Sequence, residues 1–331
     1  MSLSVCDYMG LVDKESEQPS HPFASNGRES FTNRSGKVPI IYDGGRESEE
    51  DIVAPELSEK QQQEAEERTS VKAVVVHEAI RQDGEEELGR PISALAWSGL
   101  AAGLSMGFSL VGQALFRAYL PDAPWRPLIS NLGYTVGFLI VIIGRQQLFT
   151  ENTLTAILPL LARRNLPTLL RVARLWTVVL IANLAGAHIF AWVVANTPMF
   201  SSEVQHAMFE IGMNAGNVSF GVAILRGIFA GWLIAMVVWM LAATDTGRIA
   251  IIMILTYIVG LASLTHIIAG SAEVLFPVMV GAKSWGSVAW GYMLPTLVGN
   301  SLGGVSLTAA INHAQVVSGM ERRRFRRILN Q

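Results

Sequence analysis

The chain has 331 residues, half of them hydrophobic and only 16% charged, with a mean hydropathy of +0.36; a soluble domain would carry about 25% charge. The charge is also divided: residues 1–90 hold 20 of the 27 acids and 10 of the 25 bases, so a front of net −10 precedes a remainder of net +8. A single soluble globule and a collagen-like chain are excluded, and Cys6 as the only cysteine excludes an intrachain disulfide scaffold.

In chain order, residues 1–60 are rich in Ser, Glu, Gly and Pro and poor in large apolar residues. That composition cannot offset chain entropy by burial, so it predicts a disordered acidic tail. No basic stretch leads into an apolar run, so no cleavable signal peptide is expected. Residues 61–90 are expected to form an amphipathic helix and a linker. The Gln/Glu-rich stretch from Ser58 to Arg68 runs into Val71, Ala73, Val74, Val75, Ala79 and Ile80, an apolar stripe at helical spacing. This helix is placed against the cytoplasmic face, as a surface helix or as a gate or partner site.

A bilayer core of about 30 Å needs about 20 apolar residues in a helix. Within residues 91–317, spans are expected near 92–116, 128–160, 175–198, 220–243, 249–282 and 287–316. The second and fifth are too long for a simple span and carry polar interruptions, so each is expected to be broken. Gly99, Gly103 and Gly107 in span one, and Gly227 and Gly231 in span four, form small-residue stripes that permit close helix approach. Arg81, Arg90, Arg163, Arg164, Arg171, Arg174, Arg248 and the basic C-terminus, residues 318–331, fall on one set of flanks. The other set has only Arg117, Arg126 and Lys283, and the loop from Ser201 to Asn217 has no base. The positive-inside bias therefore places both termini in the cytoplasm, with six spans between them. Trp125, Trp285 and Trp290 fall near the expected interfaces.

The two halves of this region echo each other. Asn183-Leu-Ala-Gly186 in span three and Asn300-Ser-Leu-Gly303 in span six share the pattern N-x-x-G followed by a small residue. Three spans per half is odd, so the halves insert with opposite orientation. The expected architecture is an all-α membrane protein, a six-helix bundle built as a three-plus-three inverted repeat with two broken helices and a binding site at the midplane.

Polar groups at bilayer depth are costly and face a cavity or a partner. Span two breaks at Gly144-Arg145-Gln146-Gln147-Leu148-Phe149-Thr150-Glu151-Asn152, and span five at Thr265-His266 through Glu273. His266 is the mid-span group that can exchange a proton near neutral pH, and it reads either as a pore donor or as a structural histidine. Thr150, Asn183 and Asn300 offer neutral polar groups. Phe149 suits an apolar constriction or plain packing. Glu273 could pair with Arg145, Arg226 or His266. His188 and His313 read as interhelical or interfacial.

Four segments resemble the formate/nitrite transporter family of bacterial inner-membrane proteins. Leu148-Phe149-Thr150 after Gly144 is similar to its second-helix signature, and Arg226-Gly227-Ile228 with Trp232 and Val238-Trp239-Met240 to its fourth-helix signature. His266, after Ile251-Ile252-Met253-Ile254-Leu255, is placed like the family's central pore histidine. Pro295-Thr296-Leu297-Val298-Gly299-Asn300 with Gly303-Gly304 resembles its sixth-helix motif. The resemblance covers residues 90–317, and the stretch His77 to Glu85 is typical of the YfdC-like branch. It implies an aquaporin-like fold, a homopentamer with a pore in each protomer, a bacterial inner-membrane location, and small monovalent anions such as formate or nitrite as substrates. The chain departs from the family in Gln146 and Gln147 before Leu-Phe-Thr, in Ala230-Gly231 before Trp232, and in Gly270-Ser271-Ala272-Glu273, which lengthens the turn after the histidine and adds a carboxylate.

The expected function is passage of a small monovalent anion or its conjugate acid, with proton coupling left open and neither cofactor nor metal expected. His266, Thr150, Phe149, Asn300, Glu273, Arg145, Asn183 and Arg226 are the candidate pore residues. A neutral-solute channel, and a scaffold or sensor working through its acidic tail, remain as alternatives. Ser271 and His266, the only nucleophile and base near each other, are five residues apart and share a helix face poorly. With no H-E-x-x-H and no G-x-S-x-G, no enzyme is expected. The terminal arginines suit topology and anionic lipid rather than nucleic acid.

Overall fold

The computed structural model describes residue 58 and residues 71–318. The acidic tail and the basic C-terminus expected from the sequence lie outside the described residues, apart from Ser58 and Ser318. Among the described residues every regular element is a helix. Five are long and apolar enough to cross a membrane: α2 (Ile92–Tyr119), α3 (Arg126–Ile143), α6 (Leu166–Asn196), α8 (Phe220–Ala243) and α11 (Trp285–Ser318). Shorter helices complete the chain: α1 (Ala73–Gly89), α4 (Phe149–Thr155), α5 (Ile157–Arg163), α7 (Ser202–Ala215), α9 (Arg248–Leu261) and α10 (Ala269–Met279).

Two interruptions organise the bundle, and they are built alike. α3 stops at Ile143, and the chain turns through Arg145, which takes a left-handed φ of 52°. α9 stops at Leu261 and turns through Ser263, with φ 50°. Around the first turn Gly144 N donates to Ile140 O, Arg145 N to Ile142 O and Gln146 N to Val141 O. Around the second, Ala262 N donates to Ile258 O, Ser263 N to Gly260 O and Leu264 N to Val259 O. Each pair is offset by 118 positions. A non-glycine residue in the left-handed region carries strain, and its appearance at the same point of both turns marks a feature held by the surrounding structure.

Glycines set the depth of packing. A side chain at Gly103 would collide with the backbone of Asn183, and one at Gly231 with the backbone of Asn300. The stripes on α2 and α8 thus let α6 and α11 approach to backbone contact, which brings the two asparagines to the breaks. α11 carries two π-helical stretches, Ala289–Met293 and Gly303–Ala310. In the second, Gly304 leaves room for the side chain of Thr153 on α4.

α1 is fastened across one end of the bundle. Its buried residues Val76, His77, Ile80, Gly84 and Leu88 recur at helical spacing, and Gly84 lies against the carbonyl of Thr155. Glu85 pairs with Arg163 at 2.9 Å, and Arg174 donates to the carbonyls of Leu88 at 2.6 Å and Arg90 at 3.3 Å. His77 Nε2 and His313 Nδ1 are 3.0 Å apart.

Two expectations change here. The segment from Ser201 to Asn217 is not a loop but contains α7, whose Val204, Ala207, Met208 and Ile211 pack on Leu110, Ala114 and Phe276. That i, i+3, i+4, i+7 spacing is a helical signal, hidden by attention to its missing bases. The third span begins at Leu166 rather than 175. Asn165 caps it by accepting from Thr168 N at 2.9 Å, and its first turns carry Arg171 and Arg174 beyond the apolar run. α1 itself runs from Ala73 to Gly89.

Outward faces are apolar. Trp97 is 73% exposed, Ile181 63% and Leu225 60%, among many others, far more than a soluble monomer presents to water.

Candidate functional site

Asn183 and Asn300 tie the breaks to the long helices. Asn183 Oδ1 accepts from Phe149 N at 2.9 Å, while its Nδ2 donates to Gly99 O at 2.7 Å and Gln147 O at 2.8 Å. Asn300 Oδ1 accepts from Ile267 N at 2.8 Å, while its Nδ2 donates to Gly227 O and Thr265 O, both at 2.9 Å. Both side chains are fully buried. Each asparagine supplies one acceptor and two donors where helix interruption has freed backbone groups, the requirement for irregular backbone away from water. Phe149 and Ile267 are therefore equivalent positions, as are Gln147 and Thr265, and Leu148 matches His266.

The breaks meet at one hydrogen bond. Thr150 Oγ1 and His266 Nε2 are 2.9 Å apart, and neither residue is exposed. His266 Nδ1 lies 3.2 Å from Ile268 N and 3.1 Å from Ala269 N. Both N–H groups point at Nδ1, which therefore accepts. The ring proton sits on Nε2 and is donated to Thr150 Oγ1, an assignment made from the hydrogen-bond network. Phe138 packs edge-on against the imidazole with centroids 5.0 Å apart. Phe149 packs edge-on against Trp176 at 5.6 Å, and Trp176 Nε1 donates to Asn152 O at 3.1 Å.

Two polar cavities flank this plug. One, of about 350 Å³, lies beside α1 and is lined by Asp83, Glu86 and Glu87 of α1 with Arg145, Gln147 and Glu151. The other, of about 310 Å³, is lined by Arg117, Tyr134, Arg226, Thr265, Glu273 and Tyr292, among others. Thr265, next to His266, lines the far cavity, and Gln147, at the equivalent position in the other break, lines the α1-side cavity.

The eight candidate residues are thus distributed. Thr150, His266 and Phe149 form the plug, and Asn183 and Asn300 brace it from behind. Arg226 and Glu273 line the far cavity, and Arg145 the α1-side cavity. Arg145 and Glu273 face different cavities and do not meet. Glu273 and Arg226 share a cavity without forming an ion pair, and His266 bonds Thr150 rather than Glu273. Ser271, in the first turn of α10, donates back to Ile267 O in the break. His188 stacks on Trp285 at 5.1 Å.

Sequence reasoning missed Tyr134, Tyr292 and Phe138, which lie in uniformly apolar runs. It also missed the carboxylates of α1. Asp83 and Glu86 share a helix face, but nothing in the chain indicated that this face closes a cavity.

Residues 74–314 match the family described as Formate/nitrite transporter. The chain is 43% identical over 259 residues to the inner membrane protein YfdC of Escherichia coli strain K12, covering 78% of this chain and 84% of that one. A solved "FNT family ion channel" superposes with a TM-score of 0.62 at 16% identity, over 71% of this chain and 96% of that one. A "pentameric formate channel with formate bound" superposes with a TM-score of 0.54 at 19% identity, over 74% of this chain and 98% of that one. These likenesses give the fold, that of the aquaporin-like channels. The chain belongs to the formate/nitrite transporter family, a family of membrane channels and transporters and not of enzymes.

Proposed function

We propose that the chain conducts a small monovalent anion, or its conjugate acid, through a pore in each protomer of a pentamer. The observation that carries this reading is the pair of asparagine-braced breaks meeting at the Thr150–His266 hydrogen bond between two polar cavities. The 118-position correspondence supports an inverted three-plus-three repeat of six spans, with α3–α5 and α9–α10 as the broken ones. Both termini face the cytoplasm of a bacterial inner membrane, which puts the α1-side cavity inside and the far cavity outside. The arginine bias and the YfdC likeness support that placement. The apolar faces then meet lipid or neighbouring protomers, and the solved pentameric formate channel supports the assembly. On this reading residues 1–60 are an acidic cytoplasmic tail, 61–90 the segment that carries α1, 91–317 the pore domain and 318–331 a basic cytoplasmic end.

Permeation proceeds by substitution of hydrogen bonds. Arg117 and Arg226 at the outer cavity draw in an anion. At the plug a permeant oxygen takes the place of the Thr150–His266 bond, receiving the imidazole Nε2–H and the threonine hydroxyl. Both donors are neutral, and Phe149, Phe138 and Leu148 surround them with apolar surface, so the form that passes is the neutral acid. On the inner side Asp83, Glu86, Glu87 and Glu151 outnumber Arg145 and Arg248. That balance disfavours an anion there and favours arrival as the uncharged species.

Light-scattering flux in proteoliposomes tests this across formate, nitrite, acetate, hydrosulfide and glycerol at two pH values. Formate or nitrite flux at least about tenfold above empty liposomes, rising as pH falls, is expected. Glycerol flux equal to formate flux would instead make this a neutral-solute channel.

A further inference from the structure

The outer cavity holds a carboxyl group that the fold does not require. Glu273 sits on the second turn of α10 with 7% of its surface exposed, and its side chain lines the 310 Å³ cavity. Among the described residues its carboxyl makes neither a hydrogen bond nor an ion pair. Buried carboxylates are ordinarily paired. Arg117 and Arg226 line the same cavity; neither forms an ion pair with Glu273, and the Arg117 charge acts on the carboxyl across the cavity. In the other half of the repeat the equivalent position, offset by 118, is Thr155, which lines the inner cavity. The architecture therefore accommodates an uncharged residue at this point, and the carboxyl needs another explanation.

We propose that Glu273 hands a proton to the anion in the outer cavity just before the anion reaches the plug; this rests on the conduction reading above. An anion held by Arg117 and Arg226 occupies the cavity into which the carboxyl projects. The Glu273 Oε–H bond breaks, its electron pair stays on the carboxylate, and the proton forms an O–H bond on the anion. The neutral acid moves on past Thr265 to the Thr150–His266 bond. The carboxylate left behind faces the two arginines just vacated, and water in the open cavity returns a proton to it. The other titratable groups facing it are Tyr134 from α3 and Tyr292 from α11. α7 and α6, which also pack on α10, bring no charge into the cavity. His206 and Glu210 pair with each other at 3.3 Å on the exposed face of α7, and His188 is stacked on Trp285. His266, with Nδ1 occupied by two N–H donors and Nε2–H committed to Thr150, is not free for this role.

The test is formate uptake by the full-length protein in liposomes at external pH about 5.5 and about 7.5, comparing wild type, Glu273→Gln and Glu273→Asp. Glutamine keeps the shape and polarity of the side chain but has no proton to give. Glu273→Gln is expected to lower uptake at least about tenfold at the higher pH, and less than about threefold at the lower pH, where bulk water supplies the acid form. Glu273→Asp, which keeps the carboxyl, should restore most of the loss. Glu273→Gln uptake equal to wild type at both pH values would overturn the proposal, and so would an equal loss at both with aspartate failing to rescue. Wild-type liposomes that take up no formate at either pH would overturn the conduction reading itself.

Discussion

The amide of Asn300 makes three hydrogen bonds to backbone groups, two in the break at 265–267 and one on α8, and Asn183 repeats the arrangement in the other half. Changing Asn300 to Asp keeps the acceptor for Ile267 N but removes both donors. It also sets a carboxylate oxygen against the carbonyls of Gly227 and Thr265. Leaving such groups unpaired costs about 2–4 kcal/mol, so Asn300→Asp should unfold at a clearly lower temperature in detergent, and Asn183→Asp likewise. An unchanged Tm would mean that the breaks are held by something other than these amides. The N-x-x-G motifs carrying both asparagines were legible in the sequence, because a polar residue stands out in an apolar helix. Their partners were not, because backbone carbonyls have no sequence signature. The same limit hid the Thr150–His266 bond, in which two legible residues meet from breaks 116 positions apart.

At the scale of elements, α1 is the helix whose attachment depends on titratable groups. Burial, followed by the facing His313 ring, lowers the pKa of His77 from its usual 6.5. Hydrogen bonds from Arg81 and Gln82 lower Glu78 to about 2, so that group stays ionised through the same range. Undocked, His77 takes up a proton near its usual value; docked, it does so only at lower pH. The undocked state therefore binds more protons below about pH 6.5, and docking of α1 weakens as the medium is acidified. Hydrogen–deuterium exchange across residues 73–89 should speed up between about pH 7.5 and about pH 5.5 in the wild type, and much less in His77→Gln. Equal acceleration in both would remove His77 from the attachment. The stripe expected from Val71 to Ile80 is not the face that docks: Val71, Val74 and Val75 are exposed, and the buried face runs through Val76, His77, Ile80, Gly84 and Leu88. Gly84 against Thr155, Glu85 with Arg163 and Arg174 on Leu88 are long-range contacts that periodicity cannot indicate. α7 was missed for a different reason: its apolar spacing was present in the chain, but a segment without bases was read for topology alone.

Over the whole molecule, hydropathy marked the five long apolar helices among the described residues and both interruptions, because twenty-residue apolar runs and charges within them are large effects. It could not assign charges to the two ends of the pathway. Arg145 and Glu273 stand out in the sequence as charges within apolar stretches, but only the packing of α3, α8, α10 and α11 puts them in different cavities. The conduction reading needs a continuous route: outer cavity, plug, inner cavity. On that reading the plug lies between the two cavities, and His266 supplies its donor. Leu148 occupies the position equivalent to His266 in the other break, so an apolar residue is compatible with this backbone. His266→Phe should therefore leave the oligomer intact while removing the Nε2–H donor and filling the route with an apolar ring. The measurement that bears most directly on the account is formate flux through proteoliposomes carrying equal amounts of wild-type and His266→Phe protein, each checked for the same oligomeric mass. The account predicts rapid flux in the wild type and flux at the level of empty liposomes in the variant; undiminished flux through His266→Phe would contradict it.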